Sequence, residues 1–143
     1  MIRQIFEIEP YQCAGEIRLG QPRPGVRTAL GSEYVEFRKS VKSINTTDHY
    51  EQLGVFVYYD TADLVEAIEF ASPADVHFDA MPLLTMPSRA VTEHIKRIDP
   101  GLILEDDGFI STKLGIGAYM PDGPLSESDL PESILIFRLG YYD

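Results

Sequence analysis

The sequence predicts an α+β fold: two related units, each a short helix packed on an antiparallel β-meander, forming one compact domain. Three observations carry that prediction. Leu19-Gly20-Gln21-Pro22-Arg23-Pro24-Gly25-Val26, running on to Leu30, is echoed by Leu84-Thr85-Met86-Pro87-Ser88-Arg89-Ala90-Val91, running on to Ile95, with Leu, Pro and Val in step (84 − 19 = 65). A second echo follows, in which Leu53-Gly54-Val55-Phe56-Val57-Tyr58-Tyr59-Asp60 returns as Leu114-Gly115-Ile116-Gly117-Ala118-Tyr119-Met120-Pro121-Asp122 (114 − 53 = 61). Finally, each echo joins a helix-spaced stretch to runs that alternate apolar and polar residues with the two-residue period of a strand. The internal repeat units span roughly residues 15–72 and 80–140 of a single domain covering 1–143.

The elements follow in chain order. Residues 2–8 alternate as an opening strand that Pro10 ends. Gln21-Pro22-Arg23-Pro24-Gly25 punctuates the entry to a short helix carrying Val26, Ala29 and Leu30, which Gly31 stops. Residues 34–37 alternate again, and residues 39–48, rich in Ser, Thr and Asn, read as a polar connection. The clearest hairpin comes next: Val55, Val57 and Tyr59 share one strand face, Phe56 and Tyr58 the other, Thr61-Ala62-Asp63 turns, and residues 65–70 return. Ser72-Pro73-Ala74-Asp75 breaks the sheet. A second helix starts at Pro87 and Ser88, places Val91, His94, Ile95 and Ile98 at helical spacing, and closes at Asp99-Pro100-Gly101. Residues 102–104, 108–112, 114–120 and 133–139 read as strands. The turn between the last two has grown into the 121–131 loop, with Glu127 and Asp129, expected to be exposed and mobile.

Composition narrows the function. Hydrophobic residues at 44% and charged residues at 24% are those of an ordinary folded domain, which excludes disordered and fibrous classes. The chain carries 23 acidic and 12 basic residues, a net charge of −11, so nucleic acid and anionic membrane surfaces are disfavoured partners while a basic protein is favoured. Cys13 is the single cysteine, which excludes an internal disulfide and a Cys-rich metal site and leaves it as a small, semi-buried hydrophobe. No stretch approaches the roughly 20 apolar residues of a membrane span, and residues 1–9 lack the apolar core of a signal peptide, so the cytoplasm is expected.

Few residues suggest chemistry. In Asp75-Val76-His77-Phe78-Asp79, alternation puts two carboxylates and an imidazole on one side of an extended segment. That set has two readings: a divalent-metal or acid–base site, or the polar outside of a strand with Val76 and Phe78 buried beneath. Glu105-Asp106-Asp107-Gly108 lacks the alternating ligand spacing of a calcium loop and reads as a charged turn with Gly108 at positive φ. Gly115 and Gly117 open no dinucleotide fingerprint and read as close-packing positions within a strand. No serine sits in a nucleophile elbow. No cofactor is expected. The recognition set is Tyr58, Tyr59, Asp60, Asp63, Glu66, Glu69, Glu105, Asp106, Asp107 and Tyr119, with Tyr141 and Tyr142 beside the last strand; aromatic anchors near carboxylates suit an interface for a basic partner.

The run Gly15-Glu16-Ile17-Arg18-Leu19-Gly20-Gln21-Pro22, followed by Val26 and Leu30-Gly31, resembles the opening of small bacterial proteins with helix-plus-sheet repeats. These are the β-lactamase inhibitory protein and the outer-membrane assembly lipoproteins. It is also similar to cytoplasmic proteins regarded as immunity proteins of polymorphic toxins. The chain departs from the first two in lacking paired cysteines and a lipidation site, since Cys13 follows no apolar segment. The resemblance implies a shared scaffold that binds another protein with its sheet. The expected function is therefore a non-catalytic inhibitor, an immunity protein covering the active site of a cognate toxin, acting as a monomer or homodimer. The alternative is a small metal-dependent domain using Asp75, His77 and Asp79.

Overall fold

The computed structural model describes residues 4–142, so Ile2 and Arg3 of the expected opening strand lie outside the described residues. The elements in chain order are β1 (Ile5–Glu9), β2 (Cys13–Ala14), β3 (Ile17–Arg18), α1 (Arg23–Leu30), β4 (Val35–Phe37), β5 (Thr47–Tyr50), β6 (Val55–Tyr59), β7 (Val65–Ala71), β8 (Asp75–Phe78), β9 (Met81–Pro82), α2 (Ser88–Ile98), β10 (Ile103–Glu105), β11 (Gly108–Ser111), β12 (Ile116–Tyr119) and β13 (Ser133–Phe137).

Eight strands form one antiparallel sheet in the order β10-β11-β12-β13-β7-β6-β5-β4. Its centre is the β7–β13 pair. Because side chains alternate across a strand, register sorts the sheet into rows that belong to one face or the other. One inner row runs Glu36–Asp48–Val57–Ile68–Ile136–Ile116–Ser111. Its four aliphatic members are buried, each stabilising the fold by roughly 1.5–3 kcal/mol relative to exposure.

Both helices cover this inner face, which makes the fold α+β as the sequence predicts. Val26 and Leu30 of α1, and Val91 and Ile95 of α2, stand four residues apart and pack into the same core as the inner rows. Pro22 precedes α1 and Pro87 precedes α2, each at a helix start where a missing N–H matters least. A second sheet, β3-β2-β1-β8-β9, completes the core, with Phe6 of β1 against Phe70 of β7 at 5.0 Å between ring centroids. Its β1–β8 pair is parallel, an exception to the antiparallel pattern that strand alternation alone does not foretell.

Two expectations change. The polar connection over 39–48 ends early, because Thr47 and Asp48 open β5; both are buried, and their polar groups are why the segment looked like a loop. The 121–131 loop is mostly exposed, as expected, but it is tied down. Its Asp129 and Ser126 carbonyls accept the backbone N–H groups of Ser88 and Arg89 at 2.8 and 2.9 Å, and Glu127 meets the Arg89 guanidinium at 2.7 Å. The loop thereby satisfies free N–H donors in the first turn of α2, a helix whose preceding residue is a proline without a capping side chain. The β10–β11 turn does require its glycine: a Cβ on Gly108, at φ 154°, would lie 1.9 Å from the Ala118 carbonyl oxygen.

The polar group at the β5 end of the inner row is held by α1. Asp48 is fully buried and receives Arg23 Nη1 at 3.0 Å and Arg27 Nε at 2.9 Å. Arg23 also binds the more exposed Asp63 at 2.8 Å and lies 4.0 Å from the centroid of the Tyr59 ring, while Arg27 reaches Glu36 at 2.9 Å and lies 4.3 Å from the centroid of Tyr34.

Removing the Asp48 carboxylate takes from Arg23 and Arg27 their one fully buried partner, leaving Arg23 to Asp63 and Arg27 to Glu36. Asp48→Ala is expected to lower unfolding free energy by about 3–5 kcal/mol in urea titration, and Asp63→Ala by only about 1 kcal/mol because Asp63 is half in solvent. Tyr50, buried beside Asp48, is pushed up to about 12, first by burial and then by that carboxylate. An acid whose folded pKa is raised stays protonated while the unfolded chain ionises. Its contribution is therefore present below pH 10 and lost as pH rises from 10 towards 12; denaturant midpoints should fall across that window, and less steeply in Tyr50→Phe.

Candidate functional site

Among the described residues no helix or second sheet lies over the opposite face of the eight-stranded sheet, and it mixes apolar with polar side chains. Register aligns one residue from every strand into the row Val35–His49–Phe56–Glu69–Leu135–Gly117–Ile110–Ile103. A neighbouring row carries Ala71, Ser133, Tyr119, Gly108 and Glu105. A sheet with one solvated face ordinarily alternates apolar-in with polar-out. Here Val35, Ile103 and Tyr119 are exposed at 60%, 50% and 43%. Towards β4 the aromatic groups order one another: His49 stacks on Phe56 at 3.9 Å and Phe37 meets Phe56 edge-on. Towards β13 the chain end returns over the face, with Tyr141 and Tyr142 packed on Phe137.

A groove of about 210 Å³ crosses this face, lined among others by Glu69, Glu105, Asp107, Ile110, Gly117, Tyr119, Leu135 and Tyr142. A larger recess of about 480 Å³ lies between the 39–47 segment and the β6–β7 hairpin, where Lys39, Lys42 and Arg138 meet Asp60 and Glu66. Opposite charges answer one another there. Arg138 binds Asp60 at 2.6 Å and Lys39 sits 4.5 Å from the centroid of the Tyr58 ring.

The residues singled out from sequence divide between structural and surface roles. Tyr59 is corrected: it points inward under Arg23, is 6% exposed, and offers nothing to a partner. Asp63 is committed to Arg23. Asp60 accepts the Ala62 and Leu64 backbone N–H groups at 2.8 and 3.0 Å; although burial opposes it, these bonds and Arg138 hold its carboxyl below the usual range. Tyr58 donates its hydroxyl to Glu69 at 2.6 Å, and burial first, then that carboxylate, pushes its phenol well above the ordinary value. Burial raises Glu66. Glu105, Asp106 and Asp107 form the exposed β10–β11 turn, and no ion pair engages them among the described residues. Glu69, Glu105, Asp107 and Tyr119 thus come together at one groove. Asp60 and Asp63 lie apart from it, at the hairpin end.

Sequence reasoning missed the half-buried Phe56, Leu135 and Ile110 of the outer face, and Gly117, which is buried between Leu135 and Ile110 and lines the groove. The available signal was that strands β6, β11 and β13 carry apolar side chains at positions of both parities.

The Asp75/His77 segment is strand β8, with Val76 and Phe78 buried beneath it. His77 Nε2 lies 2.6 Å from Asp75 Oδ1. Asp79 does not join them: at φ 49° it leaves the extended line, and its carboxylate lies 3.5 Å from His94 of α2. No group of three metal-ligating side chains occurs among the described residues. Cys13 is buried, with Glu9 Oε2 at 3.5 Å from its sulfur; burial raises its pKa, which opposes thiolate chemistry. Among the described residues no helix is long and apolar enough to cross a membrane.

Titration calorimetry with zinc, manganese and calcium is expected to give no binding heat and no change in melting temperature; a stoichiometric heat that Asp75→Ala removes would show a metal site on β8. Compared with protein-family models, curated proteins and solved structures, the chain matches none.

Proposed function

We propose that this chain is a non-catalytic protein-binding inhibitor: an immunity protein that acts in the cytoplasm and neutralises a cognate toxin by laying its sheet over the toxin's active site. The observation that supports it is the outer face of the eight-stranded sheet, where Val35, Ile103 and Tyr119 are exposed beside the half-buried Phe56, Leu135 and Ile110. A contiguous apolar surface bordered by charge is what a protein interface presents. The acids beside it, on a chain of net charge −11, suit a basic toxin surface and would repel or mimic an anionic substrate. Self-association through the same face is opposed, since it would bring two such chains together.

Co-expression with the protein encoded beside this chain's gene tests the reading. The expected result is a stable complex in which the neighbour's toxicity is suppressed. Charge reversal at Glu105, Asp106 and Asp107 together should slow association by about tenfold or more at low salt and flatten its salt dependence. A neighbour that does not associate at all, or a complex indifferent to those three reversals, would sink this reading.

A further inference from the structure

Gly117 sits in the middle of β12 and nothing in the fold asks for a glycine there. Its pairings to Ile110 and Leu135 run in unbroken register on both sides, so no bulge explains it. Its φ lies outside the left-handed region, and a Cβ built on it would meet the Phe109 carbonyl oxygen at 3.6 Å and the Leu135 Cβ at 3.9 Å, ordinary contact distances. Gly115 two residues earlier is different, because there a Cβ would press on the Tyr11 ring at 2.8 Å. A glycine inside a strand weakens it, and where neither bulge nor bend accounts for it the remaining cause is something approaching the backbone from outside. In the outer row, Gly117 stands between two residues that do carry large side chains, Leu135 and Ile110. The row therefore has a notch one side chain deep, and the notch is the floor of the 210 Å³ groove.

The walls and ends of the groove specify the occupant. Tyr119 and Tyr142, 43% and 54% exposed, provide aromatic edges. Glu69 on β7 closes one end; Glu105 and Asp107, at the β10–β11 turn, close the other. No ion pair engages these three carboxylates among the described residues. A volume below the usual range for small-molecule pockets fits one side chain of a larger partner.

We propose that the notch over Gly117 receives one bulky apolar or aromatic side chain from a loop of a basic protein, with flanking lysine or arginine residues reaching Glu69 on one side and Glu105 with Asp107 on the other. This rests on the partner-binding reading and adds where the partner is gripped and by what. Such a buried anchor ringed by charge pairs is the usual form of an energetic centre in an interface.

The probe is acetyl-Lys-Phe-Arg-amide, titrated into the isotopically labelled full chain by NMR, with acetyl-Glu-Phe-Glu-amide as the control. Saturating shifts at the Gly117, Ile110 and Leu135 amides are expected in the millimolar range with the basic peptide alone. Gly117→Val should abolish them while leaving the melting temperature unchanged or raised, because valine suits a strand better than glycine. Glu69→Gln with Glu105→Gln should weaken binding tenfold or more. Absence of shifts to about 10 mM, equal shifts with the acidic peptide, or shifts that persist in Gly117→Val would overturn the proposal. A Gly117→Val chain that loses stability would contradict the premise that the fold tolerates a side chain there, and Gly117→Ala, which adds one methyl group, checks that premise at the smallest perturbation. The two readings separate cleanly: a neighbouring-gene product that binds the wild type and Gly117→Val equally defeats the notch alone, whereas peptide binding without any neighbour complex defeats the inhibitor reading alone.

Discussion

The buried carboxylate of Asp48 governs the β4–β5 side of the sheet. Beyond β6 the strands have little apolar area of their own to bury: β4 exposes Val35 and Phe37, and β5 reads Thr-Asp-His-Tyr. What fixes them is α1, whose Arg23 and Arg27 both reach back to Asp48, with Arg27 continuing to Glu36 of β4 and Arg23 to Thr46 and Asp63. A charge buried this completely is tolerable only when it is paired and fully hydrogen-bonded, so helix and strands must assemble together. The guanidinium planes also lie near the rings of Tyr59 and Tyr34, which ties β6 and the segment after α1 into the same cluster. Directional bonds here do the work that apolar packing does in the middle of the sheet.

The far side of the sheet uses the same device with neutral and single-charge partners. Asp99 closes α2 and is buried; it accepts the Ser111 hydroxyl at 2.8 Å and the Gly101 backbone N–H at 3.0 Å, and Ser111 accepts the Leu114 N–H in turn. Ser111 is the β11 member of the inner row that begins with Glu36 and Asp48. Both ends of that row are thus pinned to a helix by polar contacts while its middle is aliphatic. Between the end of β11 at Ser111 and the start of β12 at Ile116, residues 112–115 turn around the serine, whose carbonyl and hydroxyl accept the Gly115 and Leu114 N–H groups.

The helices and the β6–β7 hairpin were legible because their periodicity is local. Val26 with Leu30, Val91 with Ile95, and the alternation of Val55, Val57 and Tyr59 each report a buried face without reference to anything distant. Thr47-Asp48-His49-Tyr50 was not legible, since its burial depends on arginines more than twenty residues earlier in the chain. The parallel β1–β8 pair is longer-range still. At the candidate site, acidity alone could not separate Asp60 and Asp63, which neutralise arginines, from Glu105, Asp106 and Asp107, which face solvent. The outer row was invisible for a different reason: Phe56, Leu135, Gly117 and Ile110 become neighbours only once the register of four strand pairs is known.

Register also links the two faces. Away from the two edge strands, each residue of the outer row is flanked in its own strand by inward-facing residues, so Gly117 lies between Ile116 and Ala118 as His49 lies between Asp48 and Tyr50. Anchoring the inner rows at both ends therefore helps fix the outer row as well, from beneath. A surface held in this way loses little conformational entropy when a partner settles on it, which is where much of the cost of association otherwise falls. An inhibitor that must present a flat, apolar and acid-rimmed surface to solvent needs that rigidity from beneath. On the proposed reading, the buried polar anchors belong to the binding function as directly as the exposed aromatic residues do.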